Sequence, residues 1–195
     1  MRIAVVVILG YAVGSVPFAL LLTRARGLDL RAAGSRNLGA ANVLRTAGAS
    51  RAVAVLMLDA AKGAAAVVVA MLLTDNLVVT MAAGLASIVG HIYSVWIRFR
   101  GGKGVATSAG VFAVLAPPAT AIAVLVFICT IYATRFVSAG SIAAAVALPV
   151  AAMVVNAPFP IVSGALLAAA VVAFRHRENV LRLAAGTERR IGLRP

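Results

Sequence analysis

The chain has 195 residues, 63% of them hydrophobic, and its 18 Lys and Arg against 5 Asp and Glu give a formal charge of +13. A mean hydropathy of +1.07 excludes an ordinary soluble domain, and continuous rather than alternating apolar runs exclude a β-barrel. The charge sits at the ends of the apolar runs with few aromatic residues interleaved, which excludes nucleic acid as the partner and points to membrane lipids. What remains is an all-α fold, a polytopic membrane helical bundle forming a single domain over residues 1–195.

The first apolar segment is 3–23. It follows Arg2 as a signal sequence would, but no small-residue cleavage site ends it, so it is expected to be a retained span. Residues 24–50 form a long basic loop. Within it AANVLRTAG predicts a short interfacial helix after SRN, with Gly48 near its end. Segment 51–73 carries Asp59 and Lys62, three residues apart on a helix. Ionisable groups are costly in hydrocarbon, so both are expected to face the bundle interior as a pair, whether for structure or for chemistry. Segment 77–97 carries His91 near its inner end, where a lone His most simply makes a packing hydrogen bond.

The stretch 104–134 is one long helix or two short ones broken at Pro117-Pro118. Segments 137–155 and 158–174 follow, then a basic tail. Charge parity decides the count. With the break there are seven transmembrane helices, and the basic regions 24–50, 98–103, 134–136 and 175–195 share one side, leaving Arg2 and Asp75 on the other. The positive-inside rule then predicts an N-terminus outside and a C-terminus in the cytoplasm. Cys129 lies in an apolar run and reads as a small packing residue.

Three polar islands interrupt this pattern, and on one side of a membrane they predict one basic, glycine-lined pocket. The first is residues 33–45, AGSRNLGAANVLR. Gly34 and Gly39 allow tight turns and close approach, and Ser35 and Asn37 suit helix capping, with Asn42 further along. Arg36 and Arg45 each offer a planar fork for a phosphate. Arg24, Arg26 and Arg31 read as loop anchors.

The second island is residues 100–107, RGGKGVAT. It is not a Walker A loop, because Gly104 follows Lys103 where Ser or Thr is required of that motif's lysine neighbour. Gly101, Gly102 and Gly104 are nevertheless expected to expose consecutive amides beside the Lys103 charge, with Thr107 close behind, as a phosphate cradle at a helix start. A membrane-boundary turn with an anchoring lysine is the plain alternative.

The third island is residues 175–188, RHRENVLRLAAGTE. On a helix His176, Asn179 and Leu183 share a face, with Arg175 and Arg182 alongside. His176 is suited to bind a phosphate oxygen or to shuttle a proton, and Glu188 to orient an arginine. Arg189, Arg190 and Arg194 read as contacts to an anionic leaflet, as would the whole segment in the plain alternative.

Certain chemistries are missing from the sequence. Four residues separate no His from an Asp, so the dyad of soluble acyltransferases is absent. No clustered carboxylates are present to hold Mg²⁺, and His, Cys and carboxylates are too few for a catalytic metal site.

Taken together, GSVPFALLLTR, GSRNLGAANVLR, LDAAKG, GHIYSVWIRFRGGKGVAT, TRFVSAGSI and RHRENVLRLAAGTE resemble, in order and over essentially the whole chain, the bacterial integral-membrane acyl-phosphate:glycerol-3-phosphate acyltransferases. One departure is Ser94, where that family usually has Pro. The resemblance implies transfer of an acyl group from acyl phosphate to the 1-hydroxyl of glycerol 3-phosphate, giving lysophosphatidic acid and phosphate, the first step of phospholipid synthesis. It implies no cofactor and no metal, a place in the inner (cytoplasmic) membrane with the active site facing the cytoplasm, and an upstream acyl-phosphate-forming enzyme as a partner. Carried onto this chain, its functional positions are Ser35, Arg45, Lys103, His176 and Asn179, with Asn37, Asn42 and the glycines shaping the site. A membrane transporter for an organic phosphate is the competing class, suited by broken helices and by an intramembrane Asp59 and Lys62.

Overall fold

The computed structural model describes residues 2–24 and 27–192. Arg26 and Arg194, expected as lipid anchors, lie outside them. Among the described residues there are ten α-helices, one 3-10 turn and no strand. The chain forms two compact units, Met1–Val114 and Leu115–Pro195.

In the first unit, α1 (Arg2–Ser15) and α2 (Phe18–Arg24) make up the first apolar segment. Pro17 has no N–H and disfavours helix at Val16, which breaks the segment there. After the basic loop come α3 (Ala40–Ala47), α4 (Ala49–Leu73) and α5 (Leu77–Ile92). Helix α5 starts on Asn76, whose side-chain oxygen accepts from the amides of Val78 (2.9 Å) and Val79 (3.2 Å). A 3-10 turn, Val95–Ile97, precedes α6 (Val105–Leu115).

These helices meet through small residues, as membrane helices do when only packing and hydrogen bonding join them. A Cβ at Gly10 or Gly14 of α1 would overlap the carbonyls of Ala83 or Ser87 on α5, and one at Gly63 or Gly110 would overlap backbone where α4 meets α6. The α1 end is further tied to the end of α5. Ser94 Oγ donates to the Ser15 carbonyl at 2.5 Å, and Trp96 Nε1 donates to Ser15 Oγ at 2.9 Å. Ser94 therefore supplies a hydrogen bond at the position where a proline was expected of the family. Trp96 is otherwise exposed, as befits a residue at the membrane–water boundary.

The short helix expected in the basic loop is α3, but its inner face does not lie on lipid. Val43 is fully buried in a core with Ala19, Leu20 and Leu30 and with Ala52 and Val55 of α4.

The second unit holds α7 (Pro117–Thr134), α8 (Val137–Val154), α9 (Phe159–Arg175) and α10 (Arg177–Ala184). The expected break is present: Ala116 has φ −147° and ψ 68°, outside the helical region, and Pro117 opens α7. Ile191 returns to α8's start through its amide, which donates to the Arg135 carbonyl at 2.8 Å. Large apolar side chains such as Leu72, Tyr132 and Phe159 stay exposed on helices whose other faces are apolar too, the signature of lipid-facing surface.

All seven apolar segments are helical. Among the described residues five stretches are long and apolar enough to cross a membrane: Ile3–Arg24, Ala49–Leu73, Leu77–Ile97, Pro117–Thr134 and Val137–Val154. Phe159–Arg175 with Arg177–Ala184, bent by 56°, makes a sixth if taken as one span. Helix α6 has 11 residues and is about 16 Å long, little more than half of a bilayer core.

Candidate active site

The first island is built around Asn42. Its side chain does not cap a helix. It is fully buried, and its Oδ1 accepts from the Ser35 amide at 2.8 Å while Nδ2 donates to the carbonyls of Ala33 (3.1 Å) and Leu30 (3.4 Å). The amide thus folds residues 30–35 back over α3 and sets Ser35 at its edge. Gly34 makes this possible, with φ +59° and no room for a Cβ beside Asn42 Oδ1. The expectation that Ser35 and Asn37 cap α3 is corrected. The N-cap is Gly39, with no side-chain hydrogen bond, because the turn at 34–36 carries Ser35 away from the helix start. Arg36 takes a left-handed φ of 59°, and Ser35, Arg36 and Arg45 are exposed while Asn37 is half-buried.

The second island is likewise corrected in one respect. The Gly101 and Gly102 amides do not stand open for an anion. They donate to the carbonyls of Ile92 (2.9 Å) and His91 (3.2 Å), which end α5 and have no partner within that helix. Both glycines are buried, and a Cβ at Gly102 would come within 3.1 Å of the Leu38 carbonyl, so the second island is packed directly against the first. Gly104, at φ +87°, turns the chain into α6. Lys103 is half-buried at the start of that helix, where first-turn amides and the helix dipole favour an anion. Thr107 is fully buried, and its carbonyl faces Gly63 of α4, so it sits in the helix contact.

Below these loops lies a narrow cleft lined by, among others, Val16, Phe18, Asp59, Lys62, His91 and Gly102. Asp59 and Lys62 are paired at 2.8 Å and buried, as their spacing predicts. Lys62 Nζ also donates to the Val16 carbonyl at 2.9 Å, answering the acceptor that the α1–α2 break leaves open. Its ammonium lies 5.7 Å from the centre of the Phe18 ring.

In the second unit the third island is not one helix. Helix α9 ends at Arg175, His176 takes φ −100° and ψ 5°, and α10 starts afresh at Arg177. Asn179 and Leu183 share a face of α10, whereas His176 stands at the junction. His176 is buried, and its Nδ1 lies 2.8 Å from the Val172 carbonyl. A carbonyl only accepts, so Nδ1 carries a proton.

Glu188 organises the rest. Its Oε1 accepts from Asn179 Nδ2 (2.7 Å) and Ser138 Oγ (2.8 Å), and its Oε2 from Arg182 Nε (2.7 Å). The expected partnership with an arginine is therefore present and extends to two further donors. Burial pushes this carboxyl up, but the hydrogen bonds from Arg182, Asn179 and Ser138 outweigh it and hold Glu188 below the usual carboxylate range. A depressed folded-state value means stabilisation present above the unfolded value near 4.5 and lost as pH falls through the folded one. In melts between pH 7 and pH 4, Glu188→Gln is expected to lower Tm at pH 7 and to flatten the acid limb. A variant with the wild-type pH dependence counts against this network.

Sequence reasoning missed the contacts of His91 with Asp59 and Gly102, and the reach of Lys62 to Val16. The signal for the second was present: Pro17 inside an apolar span leaves backbone acceptors in need of a donor.

Fold and residues define a class: a helical protein with several membrane-spanning helices, whose polar loops are pinned by buried amides and a buried carboxylate and carry exposed Arg and Ser and a half-buried Lys. The family model for glycerol-3-phosphate acyltransferase matches residues 4–186. A glycerol-3-phosphate acyltransferase of Myxococcus xanthus is 49% identical over 187 residues, covering 94% of this chain and 97% of that protein. One from Geobacter sulfurreducens is 44% identical over 180 residues, covering 92% and 93%. Crystal structures of PlsY (YgiH), an integral membrane glycerol 3-phosphate acyltransferase, superpose on it throughout. The glycerol 3-phosphate form gives a TM-score of 0.93 at 36% identity, covering 98% of this chain and 96% of that one. The lysophosphatidic acid form gives 0.92 at 35%, with the same coverage. The chain belongs to the glycerol-3-phosphate acyltransferase family.

Proposed function

We propose that residues 1–195 act as one acyltransferase domain, moving an acyl group from acyl phosphate to the 1-hydroxyl of glycerol 3-phosphate and releasing lysophosphatidic acid and phosphate. The observation that carries this reading is the match in fold, over nearly the whole chain, to an enzyme solved with its glycerol 3-phosphate and its lysophosphatidic acid. Both substrates are phosphate esters or anhydrides, so two anions must be held together, and Arg45 and Lys103 offset their repulsion. The donor is a mixed anhydride and already activated. Positioning then supplies much of the acceleration, with no cofactor required for it.

In this reading Ser35, set by Asn42, and Asn179, set by Glu188, stabilise the oxyanion that develops on the acyl carbon. His176, as the imidazolium, donates from Nε2–H to a substrate phosphate and orients it, and the leaving phosphate of the donor accepts the hydroxyl proton. Arg36, Arg175 and Arg182 add positive charge around the site. The protein crosses the inner membrane seven times, α6 as the short crossing, with the N-terminus outside, the C-terminus in the cytoplasm and the site on the cytoplasmic side. An acyl-phosphate-forming enzyme supplies the donor upstream.

The test is purified protein in proteoliposomes given acyl phosphate and labelled glycerol 3-phosphate, with no other addition. Labelled lysophosphatidic acid is expected. Label taken up unchanged into the lumen, with no lipid product, would replace the enzyme by a transporter.

A further inference from the structure

His91 is buried at the end of α5, and nothing in the proposed chemistry uses it. One side of its ring is held: Nδ1 lies 3.5 Å from Asp59 Oδ1, and Asp59 is fixed in turn by Lys62. The opposite side meets the second island. A Cβ at Gly102 would overlap Nε2 and come within 2.9 Å of Cε1. The carbonyl of the same residue accepts the Gly102 amide, and the neighbouring Ile92 carbonyl accepts that of Gly101.

Two consecutive glycines are the most mobile tether a lysine can have, since each has more backbone freedom than any other residue. Here both are pinned through their amides by backbone carbonyls, and the ring of His91 lies against the second. Because Asp59, Lys62, His91 and Gly102 border the same cleft, the ring is a strut between the ion pair and the loop rather than one more residue of a filled core.

We infer that His91, braced by Asp59, is a positioning residue for Lys103: it sets the Gly101-Gly102 turn so that the lysine ammonium meets a substrate phosphate. This rests on reading Lys103 as a phosphate-binding group, so that reading is tested beside it.

The experiment measures kcat and KM for acyl phosphate and for glycerol 3-phosphate with the full-length protein. His91→Asn keeps a donor where Nδ1 faces Asp59 and removes the atoms that face Gly102. It is expected to melt like the wild type and to raise KM for one phosphate substrate by about tenfold, with a smaller change in kcat. Gly102→Ala is expected to impair the wild-type background strongly and to cost much less in the His91→Asn background, where the overlap with the ring is gone and the contact with the Leu38 carbonyl is what remains. Wild-type kinetics for His91→Asn, or an equal cost of Gly102→Ala in both backgrounds, overturns the inference. Should His91→Asn fail to fold, His91→Gln replaces it, since its flexible amide can swing from the methyl. An equal cost of Gly102→Ala there again overturns the inference. Lys103→Ala with unchanged KM for both substrates removes the phosphate role of Lys103 itself, whatever His91 does.

Discussion

Replacing His176 by Asn is expected to lower kcat by about 10²–10³-fold, the loss typical of one preorganised group at a developing charge. The choice of Asn follows from the geometry. Its side-chain amide keeps a donor near Nδ1, so the Val172 carbonyl retains its partner and the α9–α10 junction should survive. What disappears is Nε2, the atom assigned to a substrate phosphate. Tm unchanged with kcat lost places the effect in chemistry. The pH profile then separates two roles. If the donor's phosphate takes the proton, the residual activity keeps the wild-type basic limb. If His176 is the general base, the limb is lost or shifted. An activity within a few-fold of the wild type would remove His176 from the reaction altogether.

How far the sequence already reached this site depends on how local each contact is. Five membrane-length segments were legible because hydrocarbon sets the length of a crossing helix, and the break at Pro117 because proline cannot continue one. The Asp59–Lys62 pair was legible from a spacing of three on a helix inside an apolar run. The resemblance implied that Asn42 shapes the site, but not how it does so. Its partners Ser35, Ala33 and Leu30 lie seven, nine and twelve residues away, beyond any helical repeat. Gly101 and Gly102 looked like open phosphate donors because a sequence does not show which carbonyls end a neighbouring helix. Glu188 was paired with arginine correctly, but Ser138 reaches it from 50 residues away. Function was legible at another level: the polar islands alone specify anions, and the family resemblance is what specified an acyl transfer.

The largest expected change in stability comes from Asp59. In Asp59→Ala the Lys62 ammonium, only 5% exposed, loses its counterion inside an apolar bundle. Breaking a buried pair from one side costs about 3–5 kcal/mol, because the remaining charge is left uncompensated. The variant should therefore melt well below the wild type in detergent. The cause can be isolated by removing the charge as well. Adding Lys62→Met to Asp59→Ala abolishes the unpaired ammonium and keeps the side-chain volume, so much of the loss should return. Recovery should fall short of complete, because the Val16 carbonyl at the α1–α2 break then loses the donor that Lys62 supplies. Two results would defeat this account: a wild-type Tm for Asp59→Ala, or a double variant no more stable than the single one. A double variant restored in Tm yet impaired in KM would show that the ion pair serves two ends, holding the helix break shut on one side and bracing His91 on the other.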